Sequence, residues 1–261
     1  MYQGIDTAAR ISADAAAKLK AEGISFAGRY LVPPGMSKDL TATEARDLHA
    51  AGLAILLCWE IDAERAKRGA QIGASDGERA RTLARQMGVT EDAAVFFAVD
   101  FMPALRDYDS IEYYFRSAAM AVAPYRCGIY GPFDIVEEMK RRIPQLLIWQ
   151  CVAWSSGRIS AKLNFYQRLW SGAEACKAIQ AKVGFPVDIN TAESLDGLWR
   201  PQAAPAPWYE ETVAWALKEG VVTEARPTDA ATRAEVMQMI RNYNRRFEEE
   251  DGKTASGLTS D

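Results

Sequence analysis

The chain has 261 residues, 49% hydrophobic and 25% charged, and carries a formal net charge of −4 at pH 7, which fits one α/β barrel with a small appendage. Its acidic excess falls in residues 208–261, so no nucleic-acid partner is expected, and no apolar run approaches the ~20 residues of a membrane span, so no membrane partner is expected either. One histidine and four cysteines without CxxC spacing leave no histidine triad, zinc motif or disulfide framework, and neither a metal nor a cofactor is expected.

Short apolar runs alternate with longer helix-period segments, the pattern of a parallel sheet covered by helices. In chain order, strands are expected at 2–6, 26–31, 54–59, 95–100, 127–130, 147–150, 165–168 and 187–190. Helices are expected near 12–22, 41–51, 76–88, 109–123, 132–142 and 172–182, the second opened by the capping-box pattern Thr41-Ala-Thr-Glu44 and carrying His49 on its surface. The stretch SSGRISAKLN leaves little room for a helix after the sixth strand. Eight strands in about 200 residues spell an α/β fold, a (β/α)8 TIM-like barrel over residues 1–200.

At 201–207 the composition changes to PQAAPAP, a semi-rigid Pro/Ala linker. Residues 208–247 then read as a small C-terminal helical module. Val213, Leu217 and Val221 form one apolar stripe, and Val236, Ile240 and Tyr243 another. Two helices bury little apolar surface, so this module is expected to pack on a partner or on copies of itself, giving a homo-oligomer. Residues 248–261, EEEDGKTASGLTSD, read as a solvated tail.

Four strands share a feature that a buried strand alone does not explain: each carries a carboxylate at or near its end. These are Asp6 in YQGID, Glu60 in AILLCWE, Asp100 in FFAVDF and Asp188 in FPVDIN. In a parallel barrel the carboxyl ends of the strands meet on one face, where active sites are built. Arg29, Tyr30, Tyr130, Gln150, Trp154, Tyr166, Gln167 and Asn190 come to the same face as candidate substrate-binding residues. Carboxylates and amides beside flat aromatic faces suit a sugar, whose hydroxyls need donors and acceptors and whose C–H faces pack on rings. A carboxylate at a strand end can equally serve only its own loop; four together favour a site. Cys58, Cys127, Trp59 and Trp149 are assigned to packing.

The motifs GID, RYL, AVDF, GIYG, WQCVAW and VDIN, in that order over residues 2–190, resemble a glycoside-hydrolase-like barrel family of unknown function. That family is similar to the glycoside hydrolase family 25 muramidases and recurs in phage lysins and Gram-positive cell-wall proteins. The resemblance implies peptidoglycan or another cell-wall glycan as the partner, with Asp6, Asp100, Asp188, Tyr130, Gln150 and Asn190 lining the pocket. The C-terminal segment resembles one S-layer homology motif, through Trp215, Gly220 and Thr232–Glu235, which implies wall binding.

One departure bears on chemistry. The muramidases end their fourth strand on Asp-x-Glu, with the glutamate as general acid, whereas this chain reads Asp100-Phe101-Met102. Glycoside cleavage normally needs two carboxyl groups, one protonated and one ionised. Asp100 supplies one. Glu60 is the leading candidate for the other, on the expectation that an apolar setting by Trp59 and Ile61 keeps it protonated; Asp6 and Asp188 are the alternatives. The expected function is a phage-type endolysin or cell-wall hydrolase, with a non-catalytic glycan-binding barrel or a structural protein as the other readings. The start MYQGIDTAAR shows no signal-peptide pattern, so the expected location is the host cytoplasm and, after holin-type release, the wall.

Overall fold

Eight strands close one barrel in the computed structural model, in sequence order: β1 (Tyr2–Asp6), β2 (Ile24–Tyr30), β3 (Ala54–Trp59), β4 (Ala94–Ala98), β5 (Arg126–Gly131), β6 (Leu147–Cys151), β7 (Phe165–Leu169) and β8 (Asp188–Ala192). Six helices accompany them: α1 (Ala13–Ala21), α2 (Ala42–Ala50), α3 (Ala70–Met87), α4 (Tyr108–Val122), α5 (Phe133–Arg142) and α6 (Glu174–Val183). The structure describes residues 1–201, 215–220, 236–237 and 239–242. The chain divides into two compact units, Met1–Pro201 and Gln202–Asp261.

Local chemistry explains the helix ends. Ser12 opens α1 by accepting a hydrogen bond from the Ala15 N–H, and Thr41 opens α2 by accepting one from the Glu44 N–H. Only this half of the capping box forms, because the Glu44 carboxylate turns inward to meet Arg29 and the Ile11 N–H. Helices α3 and α6 stop at Gly88 and Gly184, both in the left-handed region that glycine enters without steric cost. His49 is half-buried rather than on an open helix surface, with its ring edge-on to Trp199 at 4.6 Å.

Along each strand, alternate residues face opposite sides. Ile55, Leu57, Val95, Phe97 and Ile129 pack outward under the helices, and Phe26, Leu56, Phe96, Trp149 and Phe165 fill the barrel interior. The interior rings meet edge to face, Phe96 standing 5.5 Å from Phe165 and 6.1 Å from Trp149, the arrangement that the ring quadrupoles favour. Both faces are therefore apolar, and the continuous hydrophobic runs of the sequence follow.

Residues 152–164 join β6 to β7 through turns, as the SSGRISAKLN stretch implies. The expected parallel order of the strands needs one correction. Strand β8 runs antiparallel to both β7 and β1. Running downward, it delivers residues 195–199 to the floor of the barrel. There Leu198 enters the interior cluster, Gly197 O accepts from Ala94 N, and Trp199 pairs with Ile55.

The linker and module expected over 201–247 and the tail over 248–261 lie largely outside the described residues. Within the second unit, 215–218, 236–237 and 239–242 are helical, with Trp215, Val236 and Ile240 exposed.

Candidate active site

Asp6, Asp188 and Asn190 enter the mouth from the neighbouring strands β1 and β8. Asp188 begins its strand rather than ending it, and it still reaches the mouth because β8 runs downward, paired Asp6 to Asp188. Glu60 and Asp100 follow the inward residues Cys58 and Ala98 of β3 and β4, so Asp100 stands across the opening from Asp6 and Asp188. Tyr30, Tyr130 and Gln167 complete the inward set.

A hydrogen-bond chain fixes one side of this mouth. Tyr130 Oη donates to Gln167 Oε1 at 2.9 Å, and Gln167 Nε2 donates to both Asp6 Oδ2 at 3.0 Å and Asp188 Oδ2 at 2.9 Å. Asn190 Nδ2 donates to the same Asp6 oxygen at 2.6 Å, while Asn190 Oδ1 accepts from Trp149 Nε1 at 2.8 Å. Space for Asp6 comes from Gly28 on the adjoining strand, where an added Cβ would sit 2.6 Å from Asp6 Cβ.

The electrostatics follow from crowding acids into a closed space. Burial, and then the charge of Asp188, push the Asp6 carboxyl up to about 7, against the pull of the Asn190 and Gln167 amides. Burial also raises Asp188, opposed by the nearby Ser171 backbone. Burial and then Glu60 raise Asp100, and Lys38 pulls it back. Asp6, Tyr30 and Asp188 line a cavity of about 250 Å³ with Thr7, Ser171 and Pro186.

Four expectations are corrected. Glu60 does not sit in an apolar setting: Lys38 Nζ lies 3.0 Å from its Oε2 and 4.2 Å from the centre of the Tyr30 ring. Arg29 faces outward and is fully buried. Its guanidinium grips Glu44 at 2.6 Å and donates to the carbonyls of Thr7 and Lys38, so it ties two mouth loops together beneath the site. The Gln150 amide is spent on the β6–β7 connection, donating to Arg158 O and accepting from Ser160 N. Tyr166 lies between the inward Phe165 and Gln167 and faces the other way. Trp154 stands on the rim, exposed, with φ 55°. Sequence reasoning missed Lys38, in a loop without periodicity, and Ser171, two residues beyond β7.

A closed barrel with carboxylates and amides gathered at one mouth defines a glycoside-hydrolase-like protein. Residues 17–257 match the Rv2525c-like, glycoside hydrolase-like domain, and the chain belongs to that family. Among solved structures, it is similar to the Tat-secreted protein Rv2525c of Mycobacterium tuberculosis in complex with L-tartrate, at 23% identity over 76% of this chain and 98% of that one, TM-score 0.64. It shares its fold with the modular autolysin LytC of Streptococcus pneumoniae in complex with a synthetic peptidoglycan ligand, at 11% identity over 72% of this chain and 46% of LytC, TM-score 0.52. The glycosyl hydrolase 25 GHIP of the same organism aligns at 14% identity over 75% of this chain and 88% of GHIP, TM-score 0.50. A search of curated proteins returned no match.

Proposed function

We propose that the chain is a cell-wall hydrolase of the phage endolysin type that cleaves a glycosidic bond of peptidoglycan at the barrel mouth. The observation that carries this reading is the placement of Asp6, a buried carboxyl joined through the Gln167 amide to a second acid, Asp188, and facing a third, Asp100, a crowding that pushes it up to about 7. Such a group is partly protonated at neutral pH, as a general acid must be. Asp6 donates its proton to the leaving oxygen. Asp100, ionised across the mouth, stabilises the positive charge that develops at the anomeric carbon, and water completes the hydrolysis. Asp188 acts on Asp6 through its charge, with the shared Gln167 amide holding the two side by side, and Tyr30 gives the sugar an aromatic wall. The peptidoglycan ligand of LytC supports this choice of substrate. On the same proposal, the enzyme leaves the host cytoplasm by holin-type release, and residues 208–247 hold it to the wall.

Met102 favours a second reading. It is 55% exposed at the position where the muramidases carry their acid, and a thioether donates no proton. A barrel that binds glycan without cutting it follows from that residue. Reducing-end release from purified Gram-positive peptidoglycan separates the two. Release by the full chain, lost in Asp100→Asn, supports hydrolysis; binding without release selects the second reading, and absence of both overturns each.

A further inference from the structure

Trp170 lies immediately after β7 and is 65% exposed. The next residue, Ser171, lines the cavity of Asp6 and Asp188, so Trp170 leaves the mouth end of β7 one residue before the wall of the candidate site. An added Cβ on Gly172 would lie within 2.7 Å of three carbons of its six-membered ring, so the ring lies against Gly172 while most of the residue stays in water. A large aromatic face turned to water beside an acid-lined cavity contributes nothing to the core. A cavity of about 250 Å³ has room for about one sugar ring, whereas drug-sized ligands take roughly 300–1,000 Å³. Recognition of a polymer therefore needs contacts outside the cavity.

We propose that Trp170 is a sugar-stacking subsite: its exposed indole packs on the C–H face of the pyranose next to the one held in the cavity, so that the site prefers chains to single sugars. This rests on the glycan reading above. Gly172 is its positioning partner, because a side chain there would occupy the place of the indole ring.

The test is calorimetric binding of N-acetylglucosamine and of its β-linked tetramer to the full chain, in an Asp100→Asn background that prevents turnover. Trp170→Ala and Gly172→Ala should each weaken the tetramer by about tenfold, consistent with the loss of one stacking contact, and leave the monomer unchanged. Trp170→Tyr should retain most of the tetramer affinity. Equal tetramer affinity in all three variants overturns the subsite and leaves the glycan reading standing. Binding of neither sugar by the parent overturns both. A concentration-dependent rise in particle mass that Trp170→Ala abolishes, with no sugar effect, would assign the indole to self-association and overturn the subsite.

Discussion

Asp6 and Asp188 accept hydrogen bonds from one and the same nitrogen, Gln167 Nε2. A single amide bridges two carboxyl groups that burial alone already drives towards the neutral form. Ionising both places two negative charges about one donor, and the cost falls on whichever is more deeply enclosed, which is Asp6.

This crowding makes stability depend on pH. The folded Asp6 carboxyl, at about 7, lies above its unfolded value near ~3.9, so between those limits the native state binds more protons than the unfolded chain. Stability is then greatest at the acidic end of the window and falls as pH rises towards 7, by on the order of 2–4 kcal/mol at most. Asp6→Asn keeps an oxygen for the Gln167 and Asn190 donors and removes the charge. Urea unfolding between pH 5 and pH 8 should show a flatter profile and a higher midpoint at pH 8 in the variant. An unchanged slope would assign the titration to another group.

Lys38 should set the working pH of Asp100. Its ammonium pairs with Glu60 and holds the Asp100 carboxyl down against burial and the Glu60 charge. Lys38→Met removes that restraint, so Asp100 takes up its proton at a higher pH. If Asp100 works ionised, the acidic limb of the rate profile moves to higher pH, and carbon-13 titration of the Asp100 carboxyl moves with it. A titration that stays put would detach Lys38 from Asp100.

The Arg29–Glu44 pair should matter to folding before it matters to sugar. Both side chains are at most 1% exposed and lie 2.6 Å apart, so removing one strands a buried charge, at a cost of about 3–5 kcal/mol. Arg29→Met should lower the thermal midpoint sharply, whereas Tyr30→Phe, one residue on, should leave it nearly unchanged. A mild Arg29→Met phenotype accompanied by weakened glycan binding would return Arg29 to the site.

The sequence revealed the mouth through its strand ends, because a carboxylate after a run such as Ala-Val-Phe-Phe-Ala-Val has nowhere apolar to go. Three of the four reach the mouth for that reason. Asp188 reaches it for another: side-chain pattern is the same whichever way a strand runs, so Val187–Asn190 carried no sign of its reversed direction. The misplaced binders share a second cause. In β2 both faces are buried, which erases the polar alternation that would have separated outward Arg29 from inward Tyr30. The Gln150 amide was claimed by Arg158 and Ser160, partners eight and ten residues on whose proximity depends on the missing helix. Glu60 was misread because its neighbours in sequence are apolar, while its neighbour in space is Lys38.

The floor of the barrel fixes where the chain can be cut. Ile55 and Trp199 exchange backbone hydrogen bonds of 2.8 and 2.9 Å, Leu198 is fully buried in the interior cluster, and Arg200 reaches Asp92 at 2.7 Å. A chain ending after Pro201 keeps all of these contacts and should unfold within a few degrees of the barrel transition of the full chain. A chain ending after Glu193 loses the burial of Leu198 and Trp199, and removing one buried leucine side chain alone costs about 2–5 kcal/mol. It should be strongly destabilised or insoluble. Comparing the 1–201 chain with the full chain also isolates residues 202–261. If these anchor the protein, the shorter chain should sediment less with Gram-positive walls while releasing reducing ends from soluble glycan at the same rate. Equal sedimentation would deny the C-terminal segment a wall-binding role, and a 1–201 chain that fails to fold would show that the barrel depends on residues beyond its floor.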